Sequence, residues 1–416
     1  MRIVLLSDRI PPENRGGAGE MAWRLALGLQ QAGQDVHVIS ATAGTPFEDL
    51  RQGIPTYHLH SRYPERWRAW LSLVNPQTLR PLRALLGRLR PDIVHAHNIH
   101  SDLGYIALAI AHGMGIPTLF TSHDVMPFAY QKVSHFVRPE LDGIQDARAY
   151  RLPPFYNLRQ NRLRYNPLRN VVIRHILARH ALIRLAPSAE LARAHSANGL
   201  PAFEALHNGI DPQAWQVEPE QIAALRQRLN LGQRPVILFA GRLTPAKGTH
   251  VLLSALEQVV ERLPDAMVLV LSPQPIHEQI REARWQALAQ AHLRSGGWLS
   301  GTELAAAYHL AQVVVVPSIY LDPFPTVILE AMACAKPVIA SCWGGAREVV
   351  QDGQTGYILN PQHTSLFAER LTRLLSDTAL AQAMGQAGYA RLHDGFTQAQ
   401  FVAKTLATYE RARAML

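Results

Sequence analysis

The sequence predicts an α/β protein built from two doubly wound parallel sheets, and three observations carry that expectation. Short apolar strand segments alternate with helical segments along both halves of the chain. A turn signal, Asn208-Gly209-Ile210-Asp211, separates the two series. The 416 residues exceed what one hydrophobic core serves and suit two domains of about 200 residues each. Strands that alternate with helices pair in parallel, because each helical crossover returns the chain to the same end of the sheet.

In the first half, residues 2–7 (RIVLLS) read as a buried strand. Gly16-Gly17-Ala18-Gly19 make a turn, and residues 20–32 place Met21, Leu25 and Leu29 at helical spacing before Gly33 stops the helix. Further strands are expected over 35–40, 93–96 and 117–121, with a helix over 103–112. In the second half, helices are expected over 221–231, 248–263, 302–310 and 326–334, and strands over 236–240, 266–271, 313–317 and 337–340. Residues 398–415 form a last amphipathic helix carrying Phe401, Leu406 and Tyr409. The expected division is 1–205 and 206–395, with 396–416 packing back on the first domain. Ligands of such sheets bind beyond the carboxyl ends of the strands, so two facing sheets would hold a site in the cleft between them.

Composition narrows the class. Apolar residues make up 48% of the chain, enough for two cores, and no low-complexity tract suggests a disordered segment. Two cysteines, Cys334 and Cys342, are too few for a disulfide-stapled scaffold and read as small buried residues. The opening MRIVLLSDR is too short in its apolar run for a signal peptide, and no long apolar stretch suggests a membrane-spanning helix. The expected location is therefore the cytoplasm, with peripheral contact at the inner face of the cell membrane as the alternative. The net charge of +9 is uneven: residues 1–197 hold 24 Lys and Arg against 14 Asp and Glu, and the remainder holds 17 against 18. That excess suits an anionic partner for the first domain, or a solvated basic surface.

Three segments carry chemistry. Gly16-Gly17-Ala18-Gly19 lies between the first strand and first helix, where the backbone can approach an anion, although the dinucleotide-binding spacing is not met. A plain tight turn fits it as well. Gly241-Arg242-Leu243-Thr244-Pro245-Ala246-Lys247-Gly248 again joins a strand to a helix, and its two cations suit a diphosphate, in an order that is not the Walker loop. The third runs from Tyr320 to Ala333 (YLDPFPTVILEAMA). Asp322 sits in the loop after a strand, and Glu330 is expected about two turns into the following helix, where carboxylates can accept from sugar hydroxyls. Flanked by Leu329, Ala331 and Met332, a Glu330 carboxylate needs a partner if it is buried.

The third segment resembles the E-x7-E signature of the large retaining glycosyltransferase family 4, whose fold is GT-B: two facing Rossmann-like doubly wound domains with an interdomain cleft. PPENRGGAGEMAWRLALGLQQAGQDVHVIS is similar to the family's opening. PDIVHAHN, TSHD, LAPSAELARA, HNGID, GRLTPAKG, VVVVPS, ILEAMACAKPVIAS and GGAREVVQDGQTGYIL are similar to its later landmarks, in the same order. The resemblance spans nearly the whole chain. It implies that Arg242 and Lys247 hold the donor diphosphate, that Glu330 binds the nucleotide ribose, and that Asp322 lies near the donor sugar's hydroxyls. By the same resemblance Phe324, Pro325 and Thr326 face that sugar through their backbone. Gly16 and Gly17 close on the donor phosphates, and His123 contacts the transferred sugar. His123, Asp322, Arg242 and Lys247 are thus the expected catalytic residues. The implied co-substrate is a nucleotide diphosphate sugar, with no further cofactor and no metal, and the implied acceptor is a sugar or a lipid-linked sugar, in polysaccharide or glycolipid biosynthesis. The departures lie in the donor loop. Asp322 is one methylene shorter than the family's Glu, and Pro323 and Pro325 replace glycines, Pro325 removing a backbone donor. Ser272-Pro273-Gln274-Pro275 replaces a glycine-rich loop, and Ala335 a common glycine. A sugar-nucleotide-binding protein without transferase activity is the rival reading that these departures leave open.

Two further features belong to the first half. His95, His97, Asn98 and His100 cluster at a strand end, but no Cys or carboxylate set completes a metal site, so they read as loop-lining or acceptor-contacting residues. Residues 62–90 interleave seven arginines with Trp67, Trp70 and leucines, and the segment from Arg148 to Arg184 holds nine arginines with Tyr150, Phe155, Tyr156 and Tyr165. Both suit an anionic membrane surface or an anionic acceptor. The other reading is ordinary packing, with arginines left in water. No groove-reading motif accompanies them, so a nucleic-acid partner is not expected.

Overall fold

The computed structural model describes residues 1–13, 17–140 and 146–416. The chain divides into two compact units: Met1–Val133, Asp146–Asn208 and Gln398–Leu416 form the first, and Ser134–Gln145 and Gly209–Thr397 the second. Both outer dividing points are fixed by one contact within the second unit. Ile210 pairs with Thr397 in a parallel bridge, and its amide donates to the Phe396 carbonyl at 3.0 Å. A single boundary near residue 205 does not anticipate the short excursion at 134–140. There the Phe136 ring meets Trp343 edge-on at 6.0 Å, and Asn360 Nδ2 donates to the carbonyls of Arg138 and Pro139 at 3.1 and 3.0 Å, all inside the second unit.

The first unit holds strands β1 (Arg2–Ser7), β2 (Asp35–Thr42), β3 (Phe47–Arg51), β4 (Ile54–His60), β5 (Ile93–His97), β6 (Thr118–Thr121), β7 (Ile183–Ala186) and β8 (Glu204–Ala205). Their order is β3-β4-β2-β1-β5-β6-β7-β8. Every pairing is parallel except that of β3 with β4. The winding reverses between β1 and β5. Their carboxyl ends, at Asp8 and Asn98, are therefore where the topology opens a crevice. The helix Gln398–Arg413 buries Phe401, Val402, Tyr409 and Ala412 in this unit's core, against Ile3, Leu25 and Leu29. It lies close because Gly28 has no side chain: a Cβ there would stand 2.5 Å from Val402 Cγ2.

The second unit holds β9 (Val236–Ala240), β10 (Met267–Leu271), β11 (Leu293–Ser295), β12 (Val313–Val316), β13 (Val338–Ser341) and β14 (Gly356–Leu359), ordered β11-β10-β9-β12-β13-β14 and parallel throughout. The strands VILFA, MVLVL and VVVV are buried along nearly their whole length, as expected when helices cover both faces of a parallel sheet. The reversal here lies between β9 and β12. The loops that leave these two strands are Gly241–Gly248 and 317–326, the two segments singled out for their chemistry.

Several elements differ from the sequence expectation. The first helix begins at Gly17, and the helix expected from 103 begins at Ile106. The edge strand β3 (FEDLR) is charged and mostly exposed, so alternation gave no signal. Leu82, Leu85, Leu86 and Leu89 of the helix Pro76–Leu89 are buried, so that part of the first basic segment is an ordinary packed helix. Tyr150 and Tyr165 are buried as well, whereas Trp67, Trp70 and Phe155 stand in solvent.

Two positions carry a conformational or polar cost that substitution can relieve. Ala335 follows the helix Val327–Ala333 at φ +51°, in the left-handed region. Ala335→Gly is expected to raise the unfolding free energy by about 1 kcal/mol in urea titration. His195 is fully buried between Phe128 and Phe203, and neither ring nitrogen has a hydrogen-bond partner among the described residues. Burial pushes its pKa down to about 3, so the folded chain keeps it neutral while the unfolded chain takes up a proton below about pH 6.5. Stability tied to this group is present above that pH and is lost as the pH falls toward the folded value. His195→Leu should therefore gain more at pH 5 than at pH 7.5, by about 2 kcal/mol in the same titration.

Candidate functional site

In the second unit the site is built from two close backbone approaches. Gly248 sits at φ +80°, and a Cβ there would lie 1.9 Å from the Pro317 carbonyl oxygen. Only glycine lets the loop after β9 lie against the exit of β12. Gly344 does the same for the next loop: at φ +91°, its Cβ would stand 2.0 Å from the Asp322 carbonyl oxygen. The adjacent Gly345 amide donates to that oxygen at 2.9 Å. Gly248 and Gly344 hold the Lys247 and Asp322 backbones in place.

The result is a buried ion pair. Lys247 Nζ donates to Asp322 Oδ2 at 2.9 Å, and the Ser318 hydroxyl donates to the same oxygen at 2.8 Å. The Tyr320 ring lies 5.2 Å from the ammonium, a cation–π contact. Burial alone would raise the Asp322 pKa, but Lys247 and the hydrogen bonds from Ser318 and Tyr320 outweigh it and hold the carboxyl below its usual range. Burial would lower the Lys247 pKa, but Asp322 and Tyr320 reverse that and raise it. Both groups are ionised at neutral pH. Asp322 is sequestered with its side chain 8% exposed, whereas Lys247 keeps 33% of its side chain open. An ammonium has three donors, so Lys247 can hold Asp322 and still meet an anion.

The other expected residues are placed as follows. Arg242, next to the β9 exit, is exposed, and its side chain has no ion pair or hydrogen bond among the described residues. Glu330 lies in the first turn of the helix Val327–Ala333, not two turns in, because it stands only three residues past the helix start and a turn takes about 3.6. Its carboxylate is buried and accepts from the Tyr308 hydroxyl at 2.5 Å, which supplies the partner a buried carboxylate needs. Phe324 and Pro325 are buried, and Thr326 is half-buried at the head of the helix, with no side-chain cap. The loop after β10 is tied to the Arg242 loop by Gln279, whose Oε1 accepts from the Leu243 amide at 2.6 Å and from the Ser272 hydroxyl at 3.2 Å.

In the first unit, Gly17 is exposed at the start of its helix, and Gly16 lies outside the described residues. His123 follows β6, half-buried. Its amide donates to Asn98 Oδ1 at 2.9 Å, and its Nε2 pairs with His97 Nδ1 at 2.9 Å. Burial lowers its pKa to about 4, against the pull of Asp124, so the ring is neutral at pH 7. His95 is wholly internal: Nδ1 meets the Tyr409 hydroxyl at 2.8 Å and Nε2 meets Thr121 Oγ1 at 2.7 Å. His95 and His97 are thus buried supports, not loop-lining contacts, and no metal-holding group of His, Cys, Asp or Glu occurs among the described residues.

Sequence reasoning missed the supporting groups. Ser318 and Tyr320 stand four and two residues before Asp322, so their place in the motif was a usable signal. Tyr308 is 22 residues from Glu330, and nothing local announces that contact.

Two α/β sheets, each parallel but for the β3–β4 pair of the first and each with polar side chains at a topological switch point, give the architecture of the GT-B fold class. The comparisons with known proteins sharpen that class. Residues 15–214 match the family model described as Glycosyltransferase Family 4, and residues 221–391 match Glycosyl transferases group 1. Together these cover most of the chain, which belongs to glycosyltransferase family 4. Alpha-maltose-1-phosphate synthase of Mycolicibacterium smegmatis is 27% identical over the full length of both chains. A GDP-mannose-dependent alpha-(1-6)-phosphatidylinositol monomannoside mannosyltransferase of the same organism is 32% identical over 193 residues, 45% of this chain and 50% of that one. Among solved structures, sucrose-phosphate synthase from Thermosynechococcus elongatus superposes with a TM-score of 0.74 at 22% identity over both whole chains. Anabaena HepE in complex with UDP-glucose superposes with a TM-score of 0.67 at 20% identity, over 98% of this chain and all of that one.

The ion pair makes an unequal prediction. Lys247→Ala leaves a buried carboxylate without its cation and should cost about 3 kcal/mol or more. Asp322→Asn should cost less, because the ammonium can reach water. Asp322, with its lowered folded pKa, stabilises the fold above about pH 4 and loses that contribution as the pH falls through the folded value. The gap between wild type and Lys247→Ala should therefore narrow from above about pH 4 downward, since an unpaired Asp322, raised by burial, takes up its proton above the usual carboxylate range, and the wild type loses its own contribution below it. Urea unfolding across pH measures both effects.

Proposed function

We propose that this glycosyltransferase binds a nucleotide diphosphate sugar in its second unit and an acceptor in its first, and transfers the sugar with retention of anomeric configuration. The observation that carries the reading is the pair of cations leaving β9 at the switch point: Arg242, exposed and unpaired, and Lys247, anchored by Asp322 yet one-third open. A diphosphate is the ligand whose charge and reach fit two cations held in this way. Glu330, held by Tyr308 in the first helical turn, accepts from the ribose hydroxyls.

Asp322 has a different role from the one its position suggests. Its carboxylate Oδ2 is already taken by Lys247 and Ser318, so its main work is to keep Lys247 ionised and aimed. The Phe324–Thr326 backbone is then the part of the loop that meets the transferred sugar. Its two prolines limit how far that loop adapts, which makes it the seat of sugar preference.

In the transfer step the bond from the anomeric carbon to the leaving phosphate oxygen breaks, and the acceptor oxygen forms a bond on the same face. The acceptor's proton passes to the departing phosphate. Arg242 and Lys247 stabilise the charge that develops there, and neither a protein nucleophile nor a metal is required. His123 stays neutral near pH 7, so it can serve as a hydrogen-bond partner for a sugar hydroxyl. The relatives' names suggest UDP-glucose and GDP-mannose as the first donors to test, and a sugar phosphate or lipid-linked sugar as acceptor. Polysaccharide or glycolipid assembly is the setting that fits such acceptors.

The test is a donor panel read by calorimetry, followed by NMR of the product's anomeric configuration. Arg242→Ala, which has no structural bond to lose, should weaken donor binding by about tenfold to a hundredfold with an unchanged melting temperature. Equal affinity in wild type and variant would remove Arg242 from the phosphate site, and an inverted product would overturn retention.

A further inference from the structure

Large apolar side chains are exposed on the described surface at only a dozen positions, and seven of them fall on two short segments of the first unit. Residues 65–74 contribute Trp67 (49% exposed), Trp70 (46%) and Val74. Residues 155–171 contribute Phe155 (71%), Leu158, Leu168 (64%) and Val171. The segments are far apart in sequence but fastened to one hub. The Arg169 side chain, fully buried, donates to Ser72 Oγ at 3.4 Å and to the Met126 carbonyl at 2.7 Å. The guanidinium carbons of Arg68 and Arg169 each lie 5.2 Å from the Tyr130 ring centre. Asn157 accepts from the Tyr130 amide at 2.9 Å, and Asn170 donates to the Phe128 carbonyl at 2.7 Å. Residues 126–130 thus hold both segments side by side.

The charge around them is mostly positive: Glu65 is the acidic residue on the first segment, where it lies 3.9 Å from Arg68. No acidic residue occurs between Asp146 and Glu190, a stretch that holds nine arginines. Of these, Arg151, Arg159, Arg162, Arg164 and Arg174 are exposed, and none has a carboxylate partner among the described residues. Arg62 and Arg66 flank the two tryptophans in the same condition.

We infer that this surface docks on an anionic lipid bilayer, with Trp67, Trp70, Phe155 and Leu168 entering the interface and the surrounding arginines meeting the headgroups. Indole rings prefer the headgroup level, and arginine stems can lie along apolar surface while their charge stays outside it. A nucleic acid would engage the arginines and stack bases on the aromatic rings but leave Leu158, Leu168 and Val171 in water, whereas an anionic interface receives all of them. No helix among the described residues is long and apolar enough to cross a membrane, so the contact is peripheral. The docking does not rest on the transfer reaction, and the two can fail separately.

The test uses the full chain and vesicles of phosphatidylcholine with or without phosphatidylglycerol, in a flotation assay. The chain should float with the anionic vesicles only. Trp67→Ser with Trp70→Ser, and separately Phe155→Ser with Leu168→Ser, should each reduce partition about tenfold while leaving donor binding and melting temperature unchanged. These side chains are exposed, so the variants fold. Brominated lipid should quench the wild-type tryptophan fluorescence, and Trp67→Phe with Trp70→Phe should float yet lose most of that quenching. Absence of flotation overturns the inference. So does flotation that the serine pairs leave unchanged, which would reduce the contact to charge alone, or tighter binding to an oligonucleotide than to the anionic vesicles.

Discussion

Burying Lys247 against Asp322 is the interaction on which the ligand-facing edge of the second unit depends. Taking the Asp322 carboxylate out of water alone would cost several kcal/mol, so it is tolerated only beside the ammonium, which itself keeps a third of its side chain open. The pair needs two loops at contact distance, and two glycines supply that distance: Gly248 under Pro317 and Gly344 under Asp322. Ser318 and Tyr320 complete the solvation of the carboxylate. The loop that leaves β9 and the loop that leaves β12 are thereby fixed to one another, and Arg242 and the Phe324–Thr326 stretch take their places from that lock.

The arrangement divides labour between the two acidic residues of the motif. Glu330 is buried at the helix start with a tyrosine hydroxyl as partner, and Asp322 is buried as a counterion. A carboxylate shortened by one methylene reaches less far into a ligand space and fits more closely against a neighbouring ammonium. Pro323 and Pro325 beside the carboxylate stiffen the loop.

The first unit solves a different problem with the same economy of charge. His95, His97 and His123 are held neutral by burial, His95 between Tyr409 and Thr121 and His97 against His123. The neutral stack sets the His123 ring without placing a cation in the core. Positive charge is carried instead by arginines at the surface, where it needs no counterion from the chain, and exposed aromatics share that surface. Arg169 is the exception, a buried guanidinium that joins the segments bearing those aromatics.

Much of this was legible in the residues themselves. The alternation of apolar strands with helices determined two parallel sheets, because that pattern has few other ways to bury its faces. The order of short motifs determined the family. The strand-to-helix position of Arg242, Lys247, Asp322 and Glu330 followed from local spacing. What local spacing could not reach is which side chains touch. The Lys247–Asp322 pair spans 75 residues and the Tyr308–Glu330 contact 22, and the bond from His95 to Tyr409 spans 314. The excursion at 134–140, the edge strand β3 and the sorting of the basic segments into packed leucines and exposed tryptophans were likewise decided only by folding. The sequence by itself therefore determined the architecture and the kinds of group at the site. Tertiary structure alone decided that Asp322 serves Lys247, since a buried charge finds its partner through the register of a sheet and not along the chain.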